Sequence, residues 1–511
     1  MSQTAPPAIE LIGIDKRFGA VHANKSIHLS VAKGTIHGIV GENGAGKSTL
    51  MSILYGFYQP DSGEIRVDRK PVTIRSPDDA IARGIGMVHQ HFMLVEPFTV
   101  LENVMLGVEG GMVLKRGVAK TRAELQRLER EYALEVDPDA VVSELPVGLQ
   151  QRVEILKTLY RGADTLILDE PTGVLTPAEA DHLFRILRQL RAQNKTIILI
   201  THKLREIMAV TDAVSVMRRG EIVATRTTAE TTPEELAELM VGRRVLLRVE
   251  KKPVVPGRPL LQVENLGHVD ARGVLRFSQV SFEVRAGEIV GIAGVAGNGQ
   301  SELLEVLAGI RHASVGRVLL DGEELPVMTR SDPALLRERR LAHVPEDRHR
   351  MGLVTDFEEW ENHALGYHRD EKYLNGPFLR IPAIQDDARR RIEQYDIRPP
   401  HCRLKTANFS GGNQQKIVLA REMERDPAVL LVGQPTRGVD IGAIEFIQRQ
   451  LVAMREAGKA ILLVSVELDE IRALSDRILV MCGGRIVGER TPDADERELG
   501  MLMAGLGEKA A

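Results

Sequence analysis

Two stretches of this chain are copies of one another. VAKGTIHGIVGENGAGKSTLMSILYG, from Val31 to Gly56, is echoed by VRAGEIVGIAGVAGNGQSELLEVLAG, from Val284 to Gly309, 253 residues further on. LENVMLG at Leu101 is echoed by ENHALG at Glu361, LPVGLQQRVEILK at Leu145 by FSGGNQQKIVLAR at Phe409, and TLILDEPTGVLT at Thr165 by VLLVGQPTRGVD at Val429. The last two pairs are 264 residues apart, so the second copy has gained 11 residues on the way. Solenoid units run to only about 20–45 residues, so a repeat this long means two homologous domains. The copies predict domains at 1–244 and 260–505, joined over the surface by a short, charged, Pro-containing linker at 245–259.

Within each half, apolar runs such as TIHGIV, TLILD and TIILITH are short, rich in Ile and separated by helical patterns. That alternation predicts an α/β fold with a mostly parallel, buried core sheet. The segment from about 91 to 162 is richer in helix formers and is predicted to be a helical subdomain inserted into that core. No apolar run of about 18 residues or more offers a membrane span. The 67 Lys plus Arg against 71 Asp plus Glu give a net charge of -4, with no general attraction to nucleic-acid phosphates, so no nucleic-acid partner is expected. Two cysteines, Cys402 and Cys482, make no disulfide framework, and the opening MSQTAPPAIE has neither a basic nor an apolar leader region, so a cytoplasmic location is expected.

The first copy carries a phosphate cradle. Gly41, Glu42, Asn43, Gly44, Ala45, Gly46, Lys47 and Ser48 match the P-loop pattern, after an apolar run and before a helical one, and Thr49 beside them is a further nucleotide-binding candidate. Glycines let backbone N–H groups turn onto phosphate oxygens at a helix N-terminus. Lys47 is placed to reach the terminal phosphates and Ser48 to ligate Mg2+. The strand TLILD ends in two acids, Asp169 and Glu170, which are costly at the end of a buried strand unless a metal or a reactive water uses them. Asp169 is expected to hold Mg2+ and Glu170 to act as general base. A further strand, TIILI, runs into Thr201 and His202.

In this order, the motifs resemble the ATP-binding subunits of ATP-binding cassette transporters over nearly the full chain. The resemblance implies two tandem P-loop NTPase domains, ATP and Mg2+ as ligands, and ATP hydrolysis coupled to solute movement. It implies that Phe18 stacks on adenine, that Gln90 senses the γ-phosphate, touches the metal site and couples to a membrane partner, and that His202 contacts the γ-phosphate. It also implies that Ser410, Gly411 and Gly412, in SGGNQQ, grip a γ-phosphate together with Asp440.

The two copies have decayed in complementary ways. The second has Gln300 for the lysine, Gly433 and Gln434 for the two acids, Val466 for the histidine and Glu346 for Gln90, and it has no aromatic between Leu266 and Phe277. The first has PVGLQQ, with Pro146 in place of the signature serine, and Thr176 where the second keeps Asp440. In the family two such domains pair head to tail. If these halves pair so, every surviving part falls into one hydrolytic site, and Gln300, Gly433, Gln434 and Val466 face Pro146 in a dead one.

The doubled chain with a degenerate second half is similar to importer ATPases for sugars and nucleosides. The blocks MVHQHFMLVEPFTVLENVMLG, VGLQQRVEILKTLYRGADTLILDEPT and GQPTRGVDIGAIEFI favour the nucleoside branch. This implies two transmembrane permease subunits, an extracytoplasmic substrate-binding protein acting indirectly, and a peripheral position on the cytoplasmic face of the membrane. A sugar importer ATPase is the alternative within the family. A soluble twin-cassette ATPase acting on ribosomes or DNA is the alternative outside it, disfavoured by the short linker and the single competent site.

Overall fold

The computed structural model of the chain describes residues 6–19, 21–89, 93–107, 114–132, 134–173, 175, 177–244, 249–295, 297–329 and 332–506. The chain divides into two compact units, Met1–Val245 and Leu246–Ala511. Among the described residues, the first unit has a six-stranded sheet in the order Glu221–Thr227, Ala213–Arg218, Ile36–Gly41, Thr196–Ile200, Thr165–Asp169, Ile85–Val88. The pairs from Ala213–Arg218 to Ile85–Val88 are parallel. Every residue of Ile36–Gly41, Thr165–Asp169 and Thr196–Ile200 is buried, as expected of parallel strands covered on both faces. A four-stranded antiparallel sheet, including Pro7–Phe18 and Val21–Ala32, packs Ile9, Leu11 and Ile14 into the same core.

The second unit repeats this arrangement. Its six-stranded sheet runs Leu341–Val344, Val429–Gly433, Ala460–Ser465, Ile289–Ala293, Arg477–Cys482, Arg485–Arg490, the first unit's order read from the other edge. The predicted α/β class with mostly parallel core sheets is therefore what the chain adopts. Between the strands Ile85–Val88 and Thr165–Asp169 come the helices Val100–Met105, Leu114–Tyr132 and Val147–Tyr160. The second unit has Glu359–Ala364, Ile381–Gln394 and Gly411–Met423 there, with a hairpin, Leu374–Asn375 and Phe378–Leu379, before the middle helix. Among the described residues no helix is long and apolar enough to cross a membrane.

The stretch expected as a linker is not free along its length. Lys251 Nζ donates to the carbonyls of Leu474, at 3.0 Å, and Ser475, at 2.5 Å, while Arg455 Nη1 donates to Lys252 O at 2.7 Å. These bonds tie the residues before the strand Pro259–Val269 to the second unit.

The helical inserts differ in one buried pair. The first unit places Val100 and Val104 on the inner face of a short helix, whereas the matching positions of the second hold Glu359 and His363, both fully buried. Among the described residues neither side chain has a hydrogen-bond partner, and Glu359 Oε1 lies 3.5 Å from His363 Nδ1. Burial pushes the Glu359 carboxyl up to about 8, against the opposing pull of Arg391. Burial also holds His363 well below its usual value, helped by Arg391, Arg421, Arg425 and Lys372. The unfolded chain releases the Glu359 proton in the usual carboxylate range, so this group's contribution to stability is full in acid and is lost as pH rises through about 8. His363 acts oppositely: its contribution is present above the usual histidine value and is lost on acidification. Glu359→Gln is therefore expected to flatten the alkaline side of the stability profile. Between pH 5 and 9 its melting temperature should fall less than the parent's, by about 2–4 °C for each kcal/mol removed. Parallel melting curves for the two proteins would refute this.

Candidate active site

The cradle of the first unit is built at the end of the strand Ile36–Gly41. The loop turns through Gly44, at φ 79°, and Gly46, at φ 101°, into the helix Lys47–Tyr55. A Cβ at Gly46 would stand 2.2 Å from Ala23 O and 2.8 Å from Asn24 Nδ2, and Asn24 Nδ2 donates to Gly46 O at 3.1 Å. Both the left-handed backbone and the neighbouring chain therefore demand glycine there. Ala45 N donates to Glu42 O at 3.1 Å, closing the turn, while Asn43, Gly44 and Ser48 face solvent and Thr49 is half-buried. Lys47 is buried and lies across the loop, its Nζ donating to Gly41 O at 2.7 Å and Glu42 O at 3.1 Å. Burial lowers its pKa, and the carboxylates of Glu170, Asp169 and Glu42 work against that.

The two acids arrive from the strand Thr165–Asp169, paired in parallel with Thr196–Ile200 so that Asp169 lies opposite Ile200. Asp169 is buried and hydrogen-bonded to Ser48. Burial raises its pKa, with Glu170 adding to the rise and Ser48 and Lys47 opposing it. Glu170 holds a left-handed backbone, φ 46°, its N donating to Ile200 O at 2.9 Å. Its Oε1 meets His202 Nδ1 at 2.9 Å, and this hydrogen bond keeps the carboxyl below the usual carboxylate range. Strain of this kind in a non-glycine residue persists where the surroundings over-determine it and clusters at functional sites. The structure thus brings Lys47, Ser48, Asp169, Glu170 and His202 together. Backbone N–H groups and an ammonium, with a hydroxyl and a carboxylate side by side, fit a Mg2+-bound polyphosphate.

Phe18 ends the strand Pro7–Phe18, 42% exposed, with Tyr58 edge-on at 5.2 Å between ring centroids and Lys16 Nζ 5.4 Å from its ring centre. Sequence reasoning did not find Tyr58, which lies in the loop after Gly56 and belongs to no motif. Gln90 and Thr176 lie outside the described residues.

The degenerate loop of the second unit keeps the backbone and loses the chemistry. Gly297 and Gly299 repeat the left-handed turns, at φ 90° and 96°, and Gln434 repeats the strained backbone of Glu170, at φ 41°. Gln300 is buried as Lys47 is, but what it donates is a neutral hydrogen bond, to Val295 O at 3.2 Å. At the strand end a Cβ on Gly433 would stand 2.5 Å from Glu346 Cγ, and Glu346 Oε2 accepts from Ser301 Oγ at 2.6 Å. Glu346 therefore bonds the loop serine as Asp169 bonds Ser48.

The signature turns differ as the sequences do. Ser410 caps the helix Gly411–Met423, its Oγ accepting from Asn413 N at 3.4 Å, and a Cβ on Gly412 would stand 2.9 Å from Asp440 Oδ2. Asp440 caps the helix Ile441–Glu456, its Oδ1 accepting from Ala443 N at 2.7 Å. In the first unit Pro146 stands before the helix Val147–Tyr160 with no side-chain cap.

Residues 24–173 and 277–437 match the family model described as ABC transporter. The chain is 46% identical, over 97% of its length and 98% of the relative's, to the nucleoside import ATP-binding protein NupA of Lactococcus lactis. It is 47% identical, over 98% of each chain, to the guanosine import ATP-binding protein NupO of Bacillus subtilis. A glucose import ATP-binding protein of Haloferax volcanii is 45% identical over 99% of this chain and 98% of its own. Among solved structures, a chain from the complex of an archaeal ribosomal stalk protein with an archaeal ribosome recycling factor superposes with a TM-score of 0.62 at 20% identity, covering 97% of this chain and 92% of that one. That likeness shows a shared two-domain fold.

Proposed function

We propose that this chain, which belongs to the ABC transporter family, is the ATP-hydrolysing motor of a nucleoside importer with one hydrolytic site per chain. The observation that carries the single site is the complementary loss: the lysine, the acids and the histidine persist in the first unit, and the capped signature and Asp440 in the second. Paired head to tail, the halves would assemble one complete set.

In that site Lys47 and the backbone N–H groups of Gly41 to Thr49 bind the phosphates, and the exposed face of Phe18 takes the adenine. Ser48 and Asp169 would hold Mg2+, which when bound neutralises phosphate charge. Glu170, kept ionised by His202, accepts the proton of the attacking water, and His202 fixes the carboxylate that does so. The amides at Ser410 to Gly412 would hold the γ-phosphate from the other side.

The nucleoside cargo rests on the 46% and 47% identity to nucleoside and guanosine import proteins; the glucose import protein at 45% keeps sugars as the second reading. Uptake of labelled nucleosides and pentoses by cells lacking this chain separates the two. Nucleoside uptake should be lost and pentose uptake kept; the reverse result would overturn the cargo. An extracytoplasmic binding protein would deliver the solute and two permease subunits would carry it, with this chain peripheral on the cytoplasmic face.

A cavity of about 280 Å³ in the first unit supports the permease contact. Its lining includes Phe57, Ile81, Met93 and Leu106 together with Glu154, Lys157 and Arg161. A cleft lined by apolar side chains and a few charged ones suits an amphipathic segment of a membrane partner. Phe57→Asp should abolish uptake while leaving basal ATP hydrolysis of the purified chain within about twofold. Normal uptake by that variant would exclude the cavity as the contact.

A further inference from the structure

After the strand Leu341–Val344 the second unit carries PEDRHRMG, Pro345 to Gly352, which the reaction above leaves unused. Arg348–Gly352 forms a single π-helical turn, a rare form that recurs at functional sites. Glu346 anchors the start of the segment on Ser301 of the degenerate loop. Two residues on, Arg348 reaches a different pair of elements. Its Nη1 donates to Arg437 O at 2.9 Å and its Nε to Gln414 Oε1 at 3.4 Å. His349 Nε2 lies 2.7 Å from the same Gln414 oxygen, and Gln414 Nε2 donates to Thr406 O at 3.1 Å. Gln414 belongs to the helix that Ser410 caps, and Arg437 to the turn that leads into Asp440. Asp347 fixes the segment between, its Oδ1 accepting from His349 N at 2.9 Å and Arg350 N at 3.1 Å.

The fit is also steric. A Cβ at Gly411 would stand 2.7 Å from Arg348 Nη2 and 2.9 Å from the backbone Gly438 O, so the guanidinium packs against a position that its backbone neighbour holds to glycine. The first copy has lost both members of this pair. After the matching strand Ile85–Val88 the first copy has no arginine before Thr99, and Val147 stands in the place of Gly411. The arginine and the glycine it packs against occur together, in the copy whose signature is intact.

We infer that Arg348 is a positioning residue for ATP hydrolysis, clamping the Ser410–Gly412 turn to the turn that carries Asp440 so that both meet the phosphate held by Lys47. This rests on the single-site, head-to-tail reading above. The test is steady-state hydrolysis and fluorescent-ATP binding by the full chain. Arg348→Ala should lower kcat at least about tenfold, as misplacement of a contacting group does, with KM and nucleotide Kd within about twofold of the parent. Arg348→Lys should recover part of the rate, since an ammonium can replace one donor of the fork but not its geometry. If Arg348→Ala does not fold, Arg348→Lys at parental Tm must by itself show the lowered kcat. Unchanged kcat in a folded variant, or a raised KM at parental kcat, overturns the inference. Glu170→Gln run alongside tells the two failures apart. Turnover surviving in it sinks the single-site reading; turnover abolished in it while Arg348→Ala is silent sinks only the clamp.

Discussion

Glu170→Gln is expected to abolish ATP turnover by the full chain while nucleotide binding and ATP-dependent closure persist. General-base contributions run to about 10²–10⁴ in rate, and here the second copy offers no substitute base, because Gln434 stands at the matching position and is neutral. The amide is close to the carboxylate in shape. It can keep an oxygen 2.9 Å from His202 Nδ1 and the same left-handed backbone, since Gln434 already adopts φ 41° in the other copy. The variant should therefore bind ATP with parental affinity and hold it unhydrolysed, which trapping of labelled ATP and the absence of released phosphate would report. Hydrolysis above about a tenth of the parental rate would mean that another group takes the proton.

How much of this was legible in the sequence depends on the range of the contacts. The α/β class, the two copies and the glycine cradle were readable because each is set by a local run: an Ile-rich strand, a left-handed glycine, a helix that starts at the lysine. The replacement of Asp169 by Gly433 was readable as a loss. That Glu346 fills the space beside Gly433 and bonds Ser301 was not, because it joins three segments distant along the chain. Tyr58 against Phe18 and Arg348 against Gly411 escaped for the same reason: neither residue type at its position carries a signal until the neighbour is known. The charged stretch at 245–259 read as a surface linker by composition, yet its lysines find carbonyl and carboxylate partners on the second unit.

Lys47→Gln is expected to cost as much as loss of the base, and through binding as well as rate. Lys47 is the buried cation of the cradle, its pKa lowered by burial and supported by Glu170, Asp169 and Glu42. An opposite charge at about 4 Å is worth about 4 kcal/mol at an effective dielectric of 20, or roughly 10³-fold. Gln300 already displays the result in the second copy: a buried amide turned onto Val295 O, with no charge to offer. Removing the ammonium also leaves Asp169 and Glu170 facing the phosphates without their counter-ion, so KM for ATP should rise together with the fall in kcat. The reverse change, Gln300→Lys, should not create a second hydrolytic site. The new ammonium would follow the loop that Glu346 bonds through Ser301, but Gly433 and Gln434 still supply neither metal ligand nor base. Hydrolysis and nucleotide titration of Lys47→Gln, of Gln300→Lys, and of Gln300→Lys in the Glu170→Gln background decide the matter. More than about a tenth of parental turnover in the first, or any turnover in the last, would show that the second copy is not chemically silent.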